Sequence, residues 1–203
     1  MNSKVYNTPW KIINEVRRYL WLPIIQAYFE FHGVRWGNGW RVYGLPLIQR
    51  HRGSLIAVGD YLHMRNWFSS NPLGVNHRSI LATWSETAQI TIGEDVNLTG
   101  TTICAQKQIT IGNHIRIGAN SAIVDTDFHP VEAELRRTAP RLGQTEAVVI
   151  EDDVFIGMQV LILKGTRIGK GTVVGAGSVV SGEFPAGVVI AGNPARIIRR
   201  MKD

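Results

Sequence analysis

Between residues 150 and 180 an aliphatic side chain returns at every sixth position, as Ile150, Ile156, Ile162, Ile168, Val174 and Val180. Four residues after each of the first five comes a small or β-branched one: Val154, Val160, Thr166, Thr172 or Ser178. Gly157, Gly169 and Gly175 directly follow their aliphatic partners. Six residues rotate an α-helix by about 600°, so positions six apart drift off any single face. A coil of three short strands holds them. Each side of a triangular turn then spans six residues, the recurring aliphatic points inward, and glycine or a small residue lets the chain round the corner. Turns stacked about 4.8 Å apart build three parallel sheets around one continuous core. The pattern therefore predicts a mainly β protein, a parallel β-solenoid recognisable from about Leu55 onward.

The frame has two irregularities. Gln89-Ile90-Thr91-Ile92-Gly93 recurs as Gln108-Ile109-Thr110-Ile111-Gly112, one residue more than an eighteen-residue turn, which predicts a bulge or loosened corner between Leu98 and Ile109. The frame then runs through Ile111, Ile117 and Ile123 and resumes at Ile150, a gap that is not a multiple of six. A loop must leave the coil there, and the polar stretch Pro130 to Gln144 has the composition for it. A second loop is read at Asn66 to Arg78, where Ser69, Ser70, Asn71, Pro72 and Gly74 break the pattern.

Ahead of the repeat, Ile13, Val16, Leu20, Ile24, Ala27 and Phe31 fall at helical spacing, with Pro23 predicting two short helices or a kinked one. This stripe is expected to pack on the rest of the protein or on a neighbouring subunit. Trp10, Tyr19, Trp21 and Tyr28 beside arginines also suit a membrane surface. Gly33 to Arg52 reads as a linker with irregular strands. The chain thus divides into a helical segment and linker (1–45), a solenoid domain (46–192) with an excursion at 130–147, and a basic tail (193–203).

Composition narrows the function. With 22 Lys and Arg against 16 Asp and Glu, the formal charge of +6 favours anionic partners. The basic residues are scattered and no nucleic-acid motif is present, so no nucleic-acid partner is expected. The single Cys104 forms no intramolecular disulfide and reads as a small buried side chain. With no signal peptide or spanning stretch legible, the expected location is the cytoplasm, with the helix able to lie on the inner face of the membrane.

Asp125-Thr126-Asp127-Phe128-His129-Pro130 stands where the coil breaks. An imidazole there can accept a proton at neutral pH beside a protruding wall. Asp127 is a candidate to orient it, provided the strand is regular enough for residues two apart to share a face. Trp84 and Asn97, on the preceding turns, are candidates to stack on and hydrogen-bond to a sugar.

Asp127-Phe128-His129-Pro130, Glu134-Leu135-Arg136, Phe155-Ile156-Gly157-Met158, Ile162-Leu163-Lys164-Gly165, Gly175 to Val180, and Gly192 to Arg199 together resemble the hexapeptide-repeat acetyltransferases, in the group with maltose, galactoside and polysaccharide O-acetyltransferases. The resemblance covers roughly residues 80 to 200 and not the N-terminal 50. It implies a left-handed parallel β-helix, acetyl-CoA as acyl donor, a sugar or glycan-precursor acceptor in surface polysaccharide synthesis, and a homotrimer. His129 then matches the catalytic base. Phe155, Met158, Ala176, Ser181, Arg196 and Arg199 fall on coenzyme-groove positions. Phe155 replaces a frequent tryptophan, Met158 an occasional serine, and Gly182 a frequent lysine, which puts one phosphate contact in doubt. The alternatives are an N-acyltransferase acting on an amino sugar and a non-catalytic scaffold. A zinc carbonic anhydrase would need three converging histidines, and no third histidine shares a phase with His114 and His129, so no metal is expected.

Overall fold

The six-residue ladder forms the inner wall of a three-sided coil in the computed structural model, which describes residues 8–201. Three sheets of eight, six and six strands make the faces. The first face begins at Arg41–Tyr43, the second at Leu47–Gln49 and the third at Leu55–Val58. Every pairing between turns is parallel except the last, where Ala195–Arg200 runs antiparallel to Val188–Gly192. The coil therefore starts at Arg41, within the stretch read as a linker. Arg196, Arg199 and Arg200, read as part of a basic tail, lie on the last strand of the first face, Ala195–Arg200, and remain exposed there.

The core follows from register. On the second face Ile48, Leu81, Ile103, Ile123, Ile162 and Val180 sit one above another, and none exceeds 3% exposure. Removing each such side chain from water contributes about 1.5–3 kcal/mol. The small residues of the repeat line the corners and satisfy backbone carbonyls there. Thr166 Oγ1 donates to Leu163 O at 2.6 Å and Ser178 Oγ to Gly175 O at 2.6 Å.

Glycine has a different role from the one its place after the aliphatic suggests. The left-handed corner between the first and second faces is taken by Asn120, Gln159 and Gly177, at φ 62°, 55° and 70°. Gly118 and Gly157 instead allow close stacking. A Cβ on Gly118 would lie 2.4 Å from Met158 N, and one on Gly157 2.5 Å from Ala176 N.

The nineteen-residue turn resolves into two opposite changes. Asn97 to Thr102 is one residue shorter than the matching Arg116 to Ala122. Thr102 to Thr110 is two longer than the corresponding Leu161 to Arg167. The added residues, at Gln106 and Lys107, lie inside the predicted interval. The carboxylate of buried Asp125, one turn later, accepts the N–H groups of Gln106, Lys107 and Gln108, each at 2.7 Å.

The N-terminal segment is one continuous helix, α1 (Pro9–Phe31), that runs through Pro23 rather than breaking there. Its packing corrects the predicted stripe. Asn14, Arg18, Ile25 and Phe29 are buried, whereas Ile13, Val16, Leu20, Ile24 and Phe31 are 53–86% exposed. Phe29 packs edge-on between Trp36 and Trp40, at 5.7 and 5.2 Å, in the cluster that also holds Val34 and Val42. Among the described residues no helix is long and apolar enough to cross a membrane. Cys104 is buried on the second face, and burial reinforced by Asp125 pushes its thiol pKa up to about 11. It is protonated at neutral pH and a poor nucleophile.

Candidate active site

The chain leaves the second face after Val124 and returns to the third at Val148. The excursion is pinned at its base by a short antiparallel ladder. Glu146 N donates to Asp125 O at 2.9 Å, Thr126 bridges Thr145, and Asp127 N donates to Gln144 O at 2.9 Å. A six-residue helix, Ala133–Thr138, lies further out.

At the mouth of this excursion the backbone turns sharply. Phe128 has φ 61°, a left-handed conformation uncommon for a bulky residue, and His129 N donates to Asp127 O at 2.6 Å. The imidazole is exposed, and its Nδ1 lies 2.6 Å from Pro140 O. A carbonyl only accepts, so Nδ1 carries the proton and Nε2 keeps its lone pair. The excursion thus fixes the tautomer a general base requires.

Asp127 does not orient this ring. Its carboxylate pairs with Lys164 Nζ at 3.2 Å, tying the loop base to the next turn of the second face. The irregular Phe128 is the physical reason, because the alternation that would put Asp127 and His129 on one face is lost. Sequence reasoning also passed over Gly143. A Cβ there would stand 2.7 Å from both His129 N and Phe128 C, so glycine lets the returning strand lie against the histidine's backbone. Trp84 flanks the same mouth, edge-on to Phe128 at 5.8 Å and 62% exposed.

Other candidates gather elsewhere. A groove of about 440 Å³ runs along the first face and its corner with the second. Asn97, Phe155, Met158 and Ala176 line it together, over a floor of Gly118, Gly157 and Gly175. Arg65 and Arg116 line it too, with no carboxylate among the described residues. Asn97 is therefore separated from Trp84 and belongs with the groove. Ser181, Arg196 and Arg199 lie outside this lining and are exposed, the two arginines on the outermost strand of the same face. Among the described residues no group of three or more His, Cys, Asp or Glu side chains is placed to hold a metal.

Residues 147–182 match the family model for the bacterial transferase hexapeptide (six repeats). A galactoside O-acetyltransferase of Lactococcus lactis subsp. lactis is 39% identical over 102 residues, which is 50% of this chain and 48% of that protein. The chain thus spans about half the length of this curated relative. The crystal structure of a hexapeptide-repeat acetyltransferase of Vibrio cholerae complexed with acetyl coenzyme A superposes with TM-score 0.51 at 26% identity, covering 86% of this chain and 74% of that one. The Bacillus cereus N-acyltransferase AntD superposes with TM-score 0.65 over 87% of this chain and 89% of that one. At 19% identity, AntD attests the fold alone.

Proposed function

The chain belongs to the hexapeptide-repeat acetyltransferases, whose fold is a left-handed parallel β-helix, and from that premise we propose that it transfers an acetyl group from acetyl-CoA to a hydroxyl of a sugar or glycan precursor. The observation that carries the mechanism is the Nδ1 bond of His129 to Pro140 O, which leaves Nε2 available as the base. Nε2 takes the acceptor proton as the oxygen attacks the thioester carbonyl. Collapse of the tetrahedral adduct breaks the C–S bond, and the leaving thiolate recovers that proton from His129.

The groove on the first face fits the coenzyme. Its floor carries glycines in place of side chains, which leaves room for an extended pantetheine arm, and its charged lining is cationic. The thioester supplies the activated acetyl group. Phe155, Met158 and Ala176 would border that arm, and Arg196 and Arg199 would meet the phosphates beyond it. Trp84, exposed beside His129, would stack on the sugar. The test is mass spectrometry of candidate glycans incubated with acetyl-CoA. A product 42 Da heavier and labile to mild base marks the expected ester, a base-stable one marks transfer to an amine, and no product with any glycan or amino sugar would favour the scaffold.

The site is proposed to be shared in a homotrimer. His129 lies at the corner of the second and third faces, and the groove at the corner of the first and second, so one chain presents them on different edges. A closed head-to-tail ring brings one subunit's His129 to its neighbour's groove. Mixing His129→Ala subunits with subunits blocked in the groove by Ala176→Trp is expected to restore about a quarter of wild-type activity, the fraction of sites joining two intact halves in random trimers. A site within one chain would recover none.

The free apolar face of α1, with Trp10, Tyr19 and Trp21 exposed, supports peripheral attachment to an anionic membrane from the cytoplasmic side. Flotation with phosphatidylglycerol vesicles tests it. Protein left in the soluble fraction would assign that face to a neighbouring subunit.

A further inference from the structure

A further cleft adjoins the proposed coenzyme groove. It measures about 600 Å³ and opens at the N-terminal end of the first face, between α1, the first strands and the loop after Asn66. Lys11, Glu15, Arg41, Tyr43, His63 and Arg65 line it. Its charge is unbalanced. Among the described residues Glu15 is the only carboxylate in the lining, and it is already engaged by Arg18 at 2.9 Å, by Arg41 and by the Tyr43 hydroxyl.

Arg65 has no such partner. It stands where this cleft meets the groove, since it lines both. Its guanidinium approaches the Tyr43 ring at 5.9 Å and makes no hydrogen bond or ion pair among the described residues. Burial holds its pKa below the ordinary arginine value, with Arg41 adding to the effect. Beside it, His63 Nε2 is buried without a hydrogen-bond partner. A half-buried arginine with no protein partner for its guanidinium, beside an orphaned imidazole nitrogen, costs desolvation that an anionic ligand offsets.

We propose that this cleft is an anion subsite for the acceptor, which is a phosphate-bearing sugar held through its phosphate by Arg65 and Arg41. This rests on the acetyltransferase reading above. The coenzyme's own phosphates are assigned elsewhere. Arg65 is on the second strand of the first face and Arg196 and Arg199 on the eighth, about 29 Å apart at the usual strand spacing.

Isothermal titration of the full-length protein with pyrophosphate, with and without saturating coenzyme A, tests the subsite. Pyrophosphate is expected to bind in both conditions. Arg65→Gln should weaken it about tenfold or more, the loss of a charge-assisted contact, with no fall in melting temperature because the Arg65 guanidinium supports no internal bond. Displacement of pyrophosphate by uridine diphosphate marks a nucleotide-linked sugar, and displacement by dodecyl phosphate a lipid-linked one. Displacement by neither overturns the proposal. So does pyrophosphate binding that coenzyme A abolishes, or that Arg199→Gln removes and Arg65→Gln leaves intact. The readout does not involve transfer. A protein that binds pyrophosphate through Arg65 but acetylates nothing would lose the enzymatic reading and keep the subsite.

Discussion

His129→Ala is expected to lower kcat by about 10²- to 10⁴-fold, the usual contribution of a positioned general base. The KM for acetyl-CoA should stay near the wild-type value, because the coenzyme contacts are assigned to the groove and the arginines beyond it while His129 acts on the acceptor's proton. Initial rates with saturating acceptor across a series of acetyl-CoA concentrations measure both. An unchanged kcat in an active preparation would remove His129 from the mechanism. A rise in KM with unchanged kcat would instead make it a binding residue. His129→Gln is the sharper companion, because its amide keeps much of the side chain's size and polarity but takes up no proton, and it should be as slow as the alanine variant.

The second large effect is on stability. Asp125→Ala removes an acceptor of three backbone N–H bonds at a fully buried position, a loss of about 3 kcal/mol or more if even two of those donors go unsatisfied. The affected segment is the two-residue insertion at Gln106 and Lys107, one turn below the excursion that carries His129. Both stability and rate should therefore fall. Urea unfolding at constant m-value reads the first, and activity well below the midpoint reads the second. Asp125→Asn retains an acceptor oxygen and should lose less. Equal stability in all three proteins would mean that the insertion holds its shape without the carboxylate.

Wherever six-residue spacing was unbroken, the fold was legible. Ile150 to Val180 needed nothing further, because side chains repeating at that interval have one way to share a core. The first turn was hidden although Val42 and Ile48 are themselves six apart, because Gly44 and Pro46 mimic a linker and the long loop after Asn66 separates that turn from its successor. The helix misled for another reason. Periodicity locates an amphipathic stripe, but the core side is chosen by the partner, and the cage of Trp36 and Trp40 selects Phe29 and Ile25 over the more continuous row from Ile13 to Ile24.

The candidate site was legible in part, again for physical reasons. The excursion could be found because the repeat lost phase there. What happens inside it could not, since the left-handed Phe128 separates Asp127 from His129, and the imidazole Nδ1–H donates instead to a main-chain carbonyl, which has no side-chain signature. Met158 and Ala176 come together because they occupy equivalent positions on successive turns, and Phe155 joins them from the strand that leads into the Met158 corner. Arg65 is far from them in sequence and reaches the same groove because the coil stacks its strand beneath theirs.

An open sheet ends in a strand whose free N–H and C=O groups invite the next molecule, and a coil of identical turns is exposed to that hazard along its axis. Here the first face closes with Ala195–Arg200 laid in the reverse direction, carrying exposed Arg196, Arg199 and Arg200. A second copy arriving end to end would meet a strand of the wrong polarity and a row of like charge. Lengthening into a filament is thereby opposed on this face.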